Sequence, residues 1–197
     1  MTEWDERYAA TERMFSGNPN PALLAEVGGL APGRALDVGC GEGADAVWLA
    51  RQGWKVTALD VSRVALERAE EFAVREGVRV EWVHAGVEEA ALPEGGFDLV
   101  AAHYPALRSS EGHDAERALL AAVAPGGVLL AVYHAGFDGD AARARGIDPA
   151  DYVLPADVVA ALLGGDWEVR VDTRRPRQGP ADQPHPHDVV LRAHRLS

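Results

Sequence analysis

The chain has 197 residues, a length that fits one domain with a sizeable core and is too short for two. Its formal net charge of −12 repels phosphate backbones and so argues against binding nucleic acid over a broad surface. The single cysteine, Cys40, excludes an intramolecular disulfide framework and a cysteine-rich metal site. No apolar stretch has the length of a signal-peptide core or a membrane span, so we predict a cytoplasmic protein with no membrane partner.

Two short helices are predicted first, over residues 2–11 and Pro21–Val27, the second with proline in its first turn. Strands and helices then alternate, which predicts a parallel sheet with helices on both faces. Ser62 is a plausible N-cap for one helix, which Gly77 ends. The predicted order is strand 34–38, helix 44–52, strand 54–59, helix 62–76, strand 78–83, strand 97–101, helix 114–123 and strand 128–133.

The last part of the chain departs from this alternation. A helix over 155–163 precedes two strands, 167–173 and 189–194, which are joined by a proline-rich connector, 174–188, without a helix. Neighbouring strands joined in this way run antiparallel. The predicted fold is therefore an α/β, Rossmann-like, doubly wound sheet of seven mostly parallel strands, with one antiparallel strand near the C-terminal edge. We assign residues 1–197 to one domain, in which N-terminal helices (1–29) cover a core (30–197).

A glycine turn follows the first predicted strand. Gly39, Gly41 and Gly43 are spaced one residue apart, and a helix begins directly after them. Glycine permits this tight turn and a close approach of ligand to backbone, and the helix N-terminus offers free amides. The pattern also satisfies the dinucleotide fingerprint G-x-G-x-x-A. Asp60, at the end of the second strand, is placed to accept hydrogen bonds from ribose hydroxyls, the alternative being a cap for the next helix.

Four motifs in this order resemble the class I methyltransferase family, which uses S-adenosylmethionine. They are LDVGCGEG (36–43), LD (59–60), FDLV (97–100) and PGG (125–127), and the resemblance covers residues 30–197. The opening WDERY and the later PNP resemble a small bacterial subgroup related to the thiopurine and tellurite methyltransferases. The resemblance implies S-adenosylmethionine as the methyl donor and S-adenosylhomocysteine as the product.

The resemblance also implies a role for individual residues. Asp37 would orient the glycine turn and approach the ammonium of the cofactor, and Asp60 would hold its ribose. An aspartate that the family often uses for the adenine amino group is replaced here by Gly86. Either Glu88 or Glu89 substitutes for it, or the backbone of Gly86 and Val87 reads the adenine alone. The remaining implied contacts are Gly39, Cys40, Gly41 and Gly43 as the backbone floor, Val61 against the adenine, Ala102 and His103 beside the methionine end, and Trp4 and Tyr8 closing the pocket.

Two other classes remain as alternatives. A nicotinamide-dependent oxidoreductase uses a similar sheet, but the usual short-chain dehydrogenase needs a Tyr-x-x-x-Lys pair. Lys55 is the single lysine and has no tyrosine four residues before it, which excludes that version. A non-catalytic protein that binds S-adenosylmethionine stays open.

Methyl transfer from a sulfonium is an in-line displacement that depends mainly on positioning, and a base is needed only when the acceptor must lose a proton. We predict that His103, His134, His185 and His187 surround a small-molecule acceptor and that one of them acts as base or orienting group. No metal site is predicted, because no standard ligand spacing is present.

Residues 136–154 form a predicted insertion that either covers the acceptor or is a solvated loop. The acceptor itself and the oligomeric state are left open.

Overall fold

The computed structural model describes residues 2–136, 138–144, 146–177 and 185–197. Within them one seven-stranded sheet has the order β3-β2-β1-β4-β5-β7-β6. The strands are β1 (Arg34–Val38), β2 (Lys55–Asp60), β3 (Glu81–His84), β4 (Phe97–His103), β5 (Val123–His134), β6 (Trp167–Pro176) and β7 (His187–Arg195). The helices are α1 (Glu3–Ala9), α2 (Pro21–Val27), α3 (Ala44–Arg51), α4 (Arg63–Glu76), α5 (Asp114–Ala122), α6 (Gly139–Arg143) and α7 (Pro155–Leu162), with a 3-10 turn at Pro149–Asp151.

The pairing of the strands confirms the predicted fold class. β1 to β5 pair in parallel, and β7 runs antiparallel to both of its neighbours, β5 and β6. The connector therefore reverses only β7, which lies one strand in from the edge. None of the described helices is long and apolar enough to cross a bilayer.

The core lies on both faces of the sheet because the central strands are apolar on both sides. Leu36 and Val38 of β1 belong to one buried cluster, whereas Ala35 belongs to the cluster on the opposite face. Such strands, buried on two faces, are typical of parallel sheets covered by helices. The carboxyl ends of β1, β2 and β4 consequently meet at one well-supported edge, where ligands bind in open α/β sheets.

Several predicted boundaries differ from the observed ones. The fifth strand begins at Val123 and not at residue 128, because Val123 already pairs with Phe97 and a register shift between Phe97 and Leu99 absorbs the Pro-Gly-Gly segment. The sixth and seventh strands extend into the predicted connector, where Pro176 pairs with His187. The rest of that connector, 178–184, lies outside the described residues.

The first helix and the predicted insertion are also more precisely defined. α1 is shorter than predicted: Thr2 and Asp5 form a capping box that fixes its start at Glu3, and the helix ends at Ala9. Ser62 and Gly77 cap α4 as predicted. The insertion at 136–154 contains α6 and the 3-10 turn, and Arg108 pairs with Tyr152 in an isolated antiparallel bridge.

Candidate functional site

The glycine turn is fastened to the neighbouring strand by hydrogen bonds. The amides of Gly39 and Cys40 donate to the carbonyl of Leu59 at 2.9 and 3.0 Å, and the amide of Gly41 donates to Asp60 Oδ2 at 2.8 Å. Gly39 and Gly41 have φ values of +69° and +53°, and Gly43 has +82°. Residues other than glycine rarely adopt this region. A Cβ at Gly39 would meet nothing within 4 Å, so the floor is open to a ligand at this residue.

Asp60 joins the glycine turn to the start of α4. Its second carboxylate oxygen, Oδ1, accepts the amide of Ser62 at 2.8 Å, while Ser62 caps α4 through its own hydroxyl. Burial raises the pKa of Asp60 against the lowering effect of these amides. Each carboxylate oxygen retains a lone pair, so the observed bonds leave the predicted ribose contact available.

The N-terminal segment covers the glycine turn through Tyr8. The Tyr8 side chain is buried, and a Cβ at Gly41 would lie 2.8 Å from its hydroxyl. Trp4 is partly exposed, with its ring centroid 6.3 Å from that of Tyr8. Arg7 lies over the Trp4 ring at 4.8 Å. Of Trp4 and Tyr8, which are both predicted to close the pocket, Tyr8 is therefore the residue that lies at the glycine turn.

Glu42, inside the glycine motif, holds this segment in place. Its carboxylate accepts the amides of Met14 and Phe15 at 3.1 to 3.2 Å and forms an ion pair with Arg68 at 2.9 Å. The Arg68 guanidinium also donates to the carbonyl of Tyr8. The sequence analysis did not identify Glu42 or Arg68, because their partners are distant in the chain.

An acidic cluster, formed by Asp37, Asp45 and His103, lies beside the glycine turn. His103 Nδ1 is 2.7 Å from Asp45 Oδ2, and Asp45 Oδ1 accepts the amide of Asn20 at 2.6 Å. The ligating atoms of the three side chains lie within 4.8 Å of one another. Asp37 Oδ2 and His103 Nε2 are buried and have no hydrogen-bond partner among the described residues, which is costly without a ligand.

The two carboxylates of the cluster influence each other and His103. Burial and the Asp45 charge raise the pKa of Asp37. Burial opposes a charge on His103, but the Asp45 and Asp37 carboxylates outweigh it, so the pKa of His103 is raised. With two carboxylates and one imidazole, the cluster favours a positively charged ligand such as an ammonium or sulfonium group. The three groups are also ligand types that could hold a metal ion, a grouping that the sequence analysis did not identify.

Three flat side chains form what we call the ring column (Tyr104, His134 and His185). The Tyr104 and His134 rings stack with centroids 4.1 Å apart, and His134 and His185 stack at 4.4 Å. Tyr104 has a φ of +49°, which is uncommon for a bulky residue. Its hydroxyl donates to Asp188 Oδ2 at 3.0 Å. Burial, His185 and Arg177 together lower the pKa of His134 to about 4.

The four predicted acceptor histidines therefore divide among three places. His134 and His185 belong to the ring column, and His187 lies on the wall of an adjoining cavity. His103 is instead buried against Asp45. The sequence analysis named neither Tyr104 nor Asp188 as a site residue, although each directly follows a histidine that it did name.

The predicted adenine side contains an exposed apolar residue and a bent carboxylate. Val61 is 38% exposed, whereas Gly86 and Val87 are buried. The Glu88 carboxylate folds back, and its Oε2 would lie 3.1 Å from a Cβ at Gly86. Ala102 and His103 are both predicted to lie beside the methionine end of the cofactor. Ala102 is fully buried in the core, so of these two residues only His103 has its side chain in the acidic cluster.

Residues 35–127 match the model of a family described as a methyltransferase domain. An uncharacterized methyltransferase of Mycobacterium tuberculosis is 37% identical over 111 residues, 56% of this chain and 55% of the relative. A ubiquinone biosynthesis O-methyltransferase of Escherichia coli O7:K1 is 39% identical over 113 residues (55% and 47%). A ribosomal RNA small subunit methyltransferase C of Alcanivorax borkumensis is 36% identical over 106 residues (51% and 32%). The matches thus span about half or less of the length of these relatives.

A solved structure reported as "Conversion of a Disulfide Bond into a Thioacetal Group during Echinomycin Biosynthesis" is similar over almost the whole chain. The TM-score is 0.73 at 28% identity, covering 98% of this chain and 90% of the other. The family match, the relatives and the sheet topology support the class predicted from the sequence, a class I S-adenosylmethionine-dependent methyltransferase.

Proposed function

We propose that this protein transfers a methyl group from S-adenosylmethionine to a small-molecule acceptor. The observation that carries the proposal is the acidic cluster beside an open glycine turn, where Asp37 Oδ2 and His103 Nε2 are buried and find no partner in the described ranges of the chain. S-adenosylmethionine presents two positive groups, its ammonium and its sulfonium. A cation next to Asp37 favours the ionised form of its carboxyl group, so the two carboxylates of the cluster stabilise such a ligand by charge.

The same charge argues against the nicotinamide alternative. A dinucleotide places its pyrophosphate over a glycine turn of this kind. Here Asp37, Asp45 and Asp60 are all close to that turn, and the neighbouring Arg68 is already paired with Glu42. A pyrophosphate would therefore meet repulsion and no free cation in the described part of the turn.

The remaining cofactor contacts follow from the geometry around the turn. We propose that the amino-acid end lies over Gly39 with its ammonium at Asp37, and that Asp60 accepts a ribose hydroxyl. Val61 would pack on the adenine, and Glu88, which already occupies the space above Gly86, would substitute for the missing aspartate. Bound S-adenosylmethionine supplies an activated methyl group, and the chain's own residues bind it, orient it and exclude water.

On the acceptor side, the opposite pKa shifts separate the two groups of histidines. His103, whose pKa is raised, keeps its proton to a higher pH than a free imidazole and is therefore less available as a general base. His134, whose pKa is lowered to about 4, is neutral at physiological pH and accepts a proton only weakly. We propose that His134 and His185 orient the acceptor and that most of the rate comes from alignment, which supplies roughly 7–11 kcal/mol in well-oriented reactions.

We propose a small molecule as the acceptor because the net charge of −12 disfavours a polyanion such as RNA. Residues 136–154 are then proposed to cover the acceptor, since α6 in this segment borders the cavity next to the ring column. The resemblance to the thiopurine and tellurite methyltransferases suggests a soft nucleophile, a thiol or a metalloid oxyanion, as the acceptor to try first.

Calorimetry with S-adenosylhomocysteine, NAD and NADP, followed by turnover assays, tests the proposal. We expect binding of S-adenosylhomocysteine alone, and formation of S-adenosylhomocysteine from S-adenosylmethionine with at least one member of a panel of thiols, phenols and oxyanions. Binding of a dinucleotide instead would support the oxidoreductase. Binding without turnover on the panel or on ribosomal RNA would favour a non-catalytic protein, and turnover on RNA alone would contradict a small-molecule acceptor.

A further inference from the structure

A cavity of about 720 Å³ lies between α6 and the paired ends of β6 and β7. This volume is within the range of roughly 300–1,000 Å³ that is typical of small-molecule sites. His185 belongs both to the cavity wall and to the ring column. The cavity therefore adjoins the acceptor side of the site and does not lie over the glycine turn.

The two sides of the cavity differ in chemistry. One side is apolar and is supplied by the end of β5 and by α6. The other side carries groups that donate hydrogen bonds or positive charge. The apolar residues are Ala135, Ala141, Ala142 and Ile147, and the polar ones include Arg174, His185 and His187.

Arg174 differs from its arginine neighbours in having no carboxylate partner within the described part of the chain. Arg170 and Arg175 both form ion pairs with Glu26, and Arg177 lies 3.6 Å from Asp188. No ion pair of Arg174 is found among the described residues, and its side chain is exposed. Asp138, the carboxylate on the cavity wall, already accepts two amides as the N-cap of α6, at 3.0 Å each. Arg174 is thus a positive charge available to a ligand.

We propose that this cavity binds a carboxylate-bearing small molecule through Arg174. We also propose that this molecule is the methyl acceptor and that its carboxylate end is remote from the reacting atom. The second of these statements rests on the proposed methyl transfer, whereas the first does not. Guanidinium and carboxylate groups form paired, charge-assisted hydrogen bonds. The imidazoles of His185 and His187 add N–H donors, and the apolar side holds the hydrocarbon part of the ligand.

The location fits a site for the remote part of a substrate. The ring column spans the distance from Tyr104, next to His103, to His185 at the cavity. Binding energy from a part of the substrate that does not react can hold the reacting atom in line with its donor. Because the protein is strongly acidic overall, an anion gains affinity only where a local positive group faces it, and Arg174 supplies that group.

Matched acid and amide probes test the cavity directly. Binding of indole-3-acetate and indole-3-acetamide, and of benzoate and benzamide, is measured by calorimetry on the full chain with and without S-adenosylhomocysteine. We expect at least one acid to bind about tenfold tighter than its amide, the ratio expected of a charge-assisted hydrogen bond. Equal binding of acid and amide, or no binding of any acid, overturns the proposal.

Two substitutions locate the binding. Arg174→Gln should remove the preference for the acid, whereas Arg170→Gln, on the same strand but paired with Glu26, should leave it unchanged. Ala141→Trp should fill the cavity and abolish binding of the acid while the affinity for S-adenosylhomocysteine stays the same. Retention of the preference in Arg174→Gln, or of binding in Ala141→Trp, contradicts the assignment.

The cofactor measurement separates this inference from the proposed function. If S-adenosylhomocysteine binds and the acid preference is absent, the cavity proposal alone fails. If the acid preference is present and S-adenosylhomocysteine does not bind, the cavity is a carboxylate site but not an acceptor site. With both present, carboxylated thiols or phenols should turn over faster than their amides, and equal turnover rejects the acceptor role.

Discussion

The two ends of the site are built from different interactions. Around the glycine turn, Asp60, Glu42 and Asp45 each accept backbone amides, and the buried atoms Asp37 Oδ2 and His103 Nε2 are left without a partner among the described residues. On the side that we propose for the acceptor, the ring column is held by stacking, by the hydrogen bond from Tyr104 to Asp188 and by Arg177, which lies over the Tyr104 ring. A ligand shared by a whole class of enzymes needs one fixed geometry, whereas the acceptor side is free to vary, and the following predictions test this division.

The largest effect is expected from Asp37→Asn. The substitution keeps an oxygen for the hydrogen bond from the backbone of Ala46 but removes the negative charge that we assign to the cofactor ammonium. The affinity for S-adenosylhomocysteine should fall by about a hundredfold, the upper range for a buried charged hydrogen bond. Calorimetry measures the change. Asp98→Asn is the control. Asp98 lies at the start of β4, whereas His103 of the acidic cluster lies at its end, so this variant should bind S-adenosylhomocysteine with unchanged affinity.

A methyl group at Gly41 should have the next largest effect. Gly41→Ala strains a residue with positive φ and pushes a Cβ to 2.8 Å from the buried Tyr8 hydroxyl. Strain and overpacking together should lower the free energy of unfolding by about 1–3 kcal/mol. Gly126→Ala is the matched control, because it has a φ of +76° but open space around the Cβ. An equal loss in both variants would show that the N-terminal cover does not press on the turn.

Tyr104→Phe should have a smaller effect that is confined to the acceptor side. It removes the hydrogen bond to Asp188, which is worth about 1 kcal/mol, and should lower kcat/KM for the best acceptor about fivefold. Tyr133→Phe is the control, because the Tyr133 hydroxyl is buried and has no partner in the described part of the chain. A loss of cofactor affinity in Tyr104→Phe would contradict the separation of the two ends.

The smallest effect concerns the pH dependence of stability. Burial and Asp45 raise the pKa of Asp37 in the folded protein, so the folded state binds this proton more tightly than the unfolded state. The contribution to stability is complete below the ordinary pKa of aspartic acid and is lost as pH rises towards the raised value. Melting curves of the ligand-free protein should therefore show a Tm that falls less steeply with pH in Asp37→Asn. Identical slopes would argue against a buried, destabilising charge.

The parts of the site that are local in sequence were predictable. Gly39 and Gly41 lie in the turn between β1 and α3, and Asp60 ends β2 just before α4. The geometry of each connection depends on neighbouring residues, and the structure has the predicted turn between β1 and α3. The contact of Asp45 with His103 depends on the sheet order, which places β1 next to β4. The alternation of strands and helices in the sequence indicates a parallel sheet but does not show which side chains meet across it. The contact between Asp45 and His103 therefore could not be predicted.

The ring column was harder to predict from the sequence for the same reason. Tyr104, His134 and His185 come from three separate segments that meet because β5 pairs with both β4 and β7. The prediction that histidines gather at this edge identified two of the three rings. It also included His103, whose side chain belongs to the acidic cluster because it contacts Asp45.

A crystal structure with S-adenosylhomocysteine would test the central claim most directly. We predict that its ammonium lies within hydrogen-bonding distance of Asp37 and its amino-acid end over Gly39, with ribose oxygens at Asp60. An empty crevice at saturating ligand, or a ligand whose ammonium is bound far from Asp37, would contradict the account.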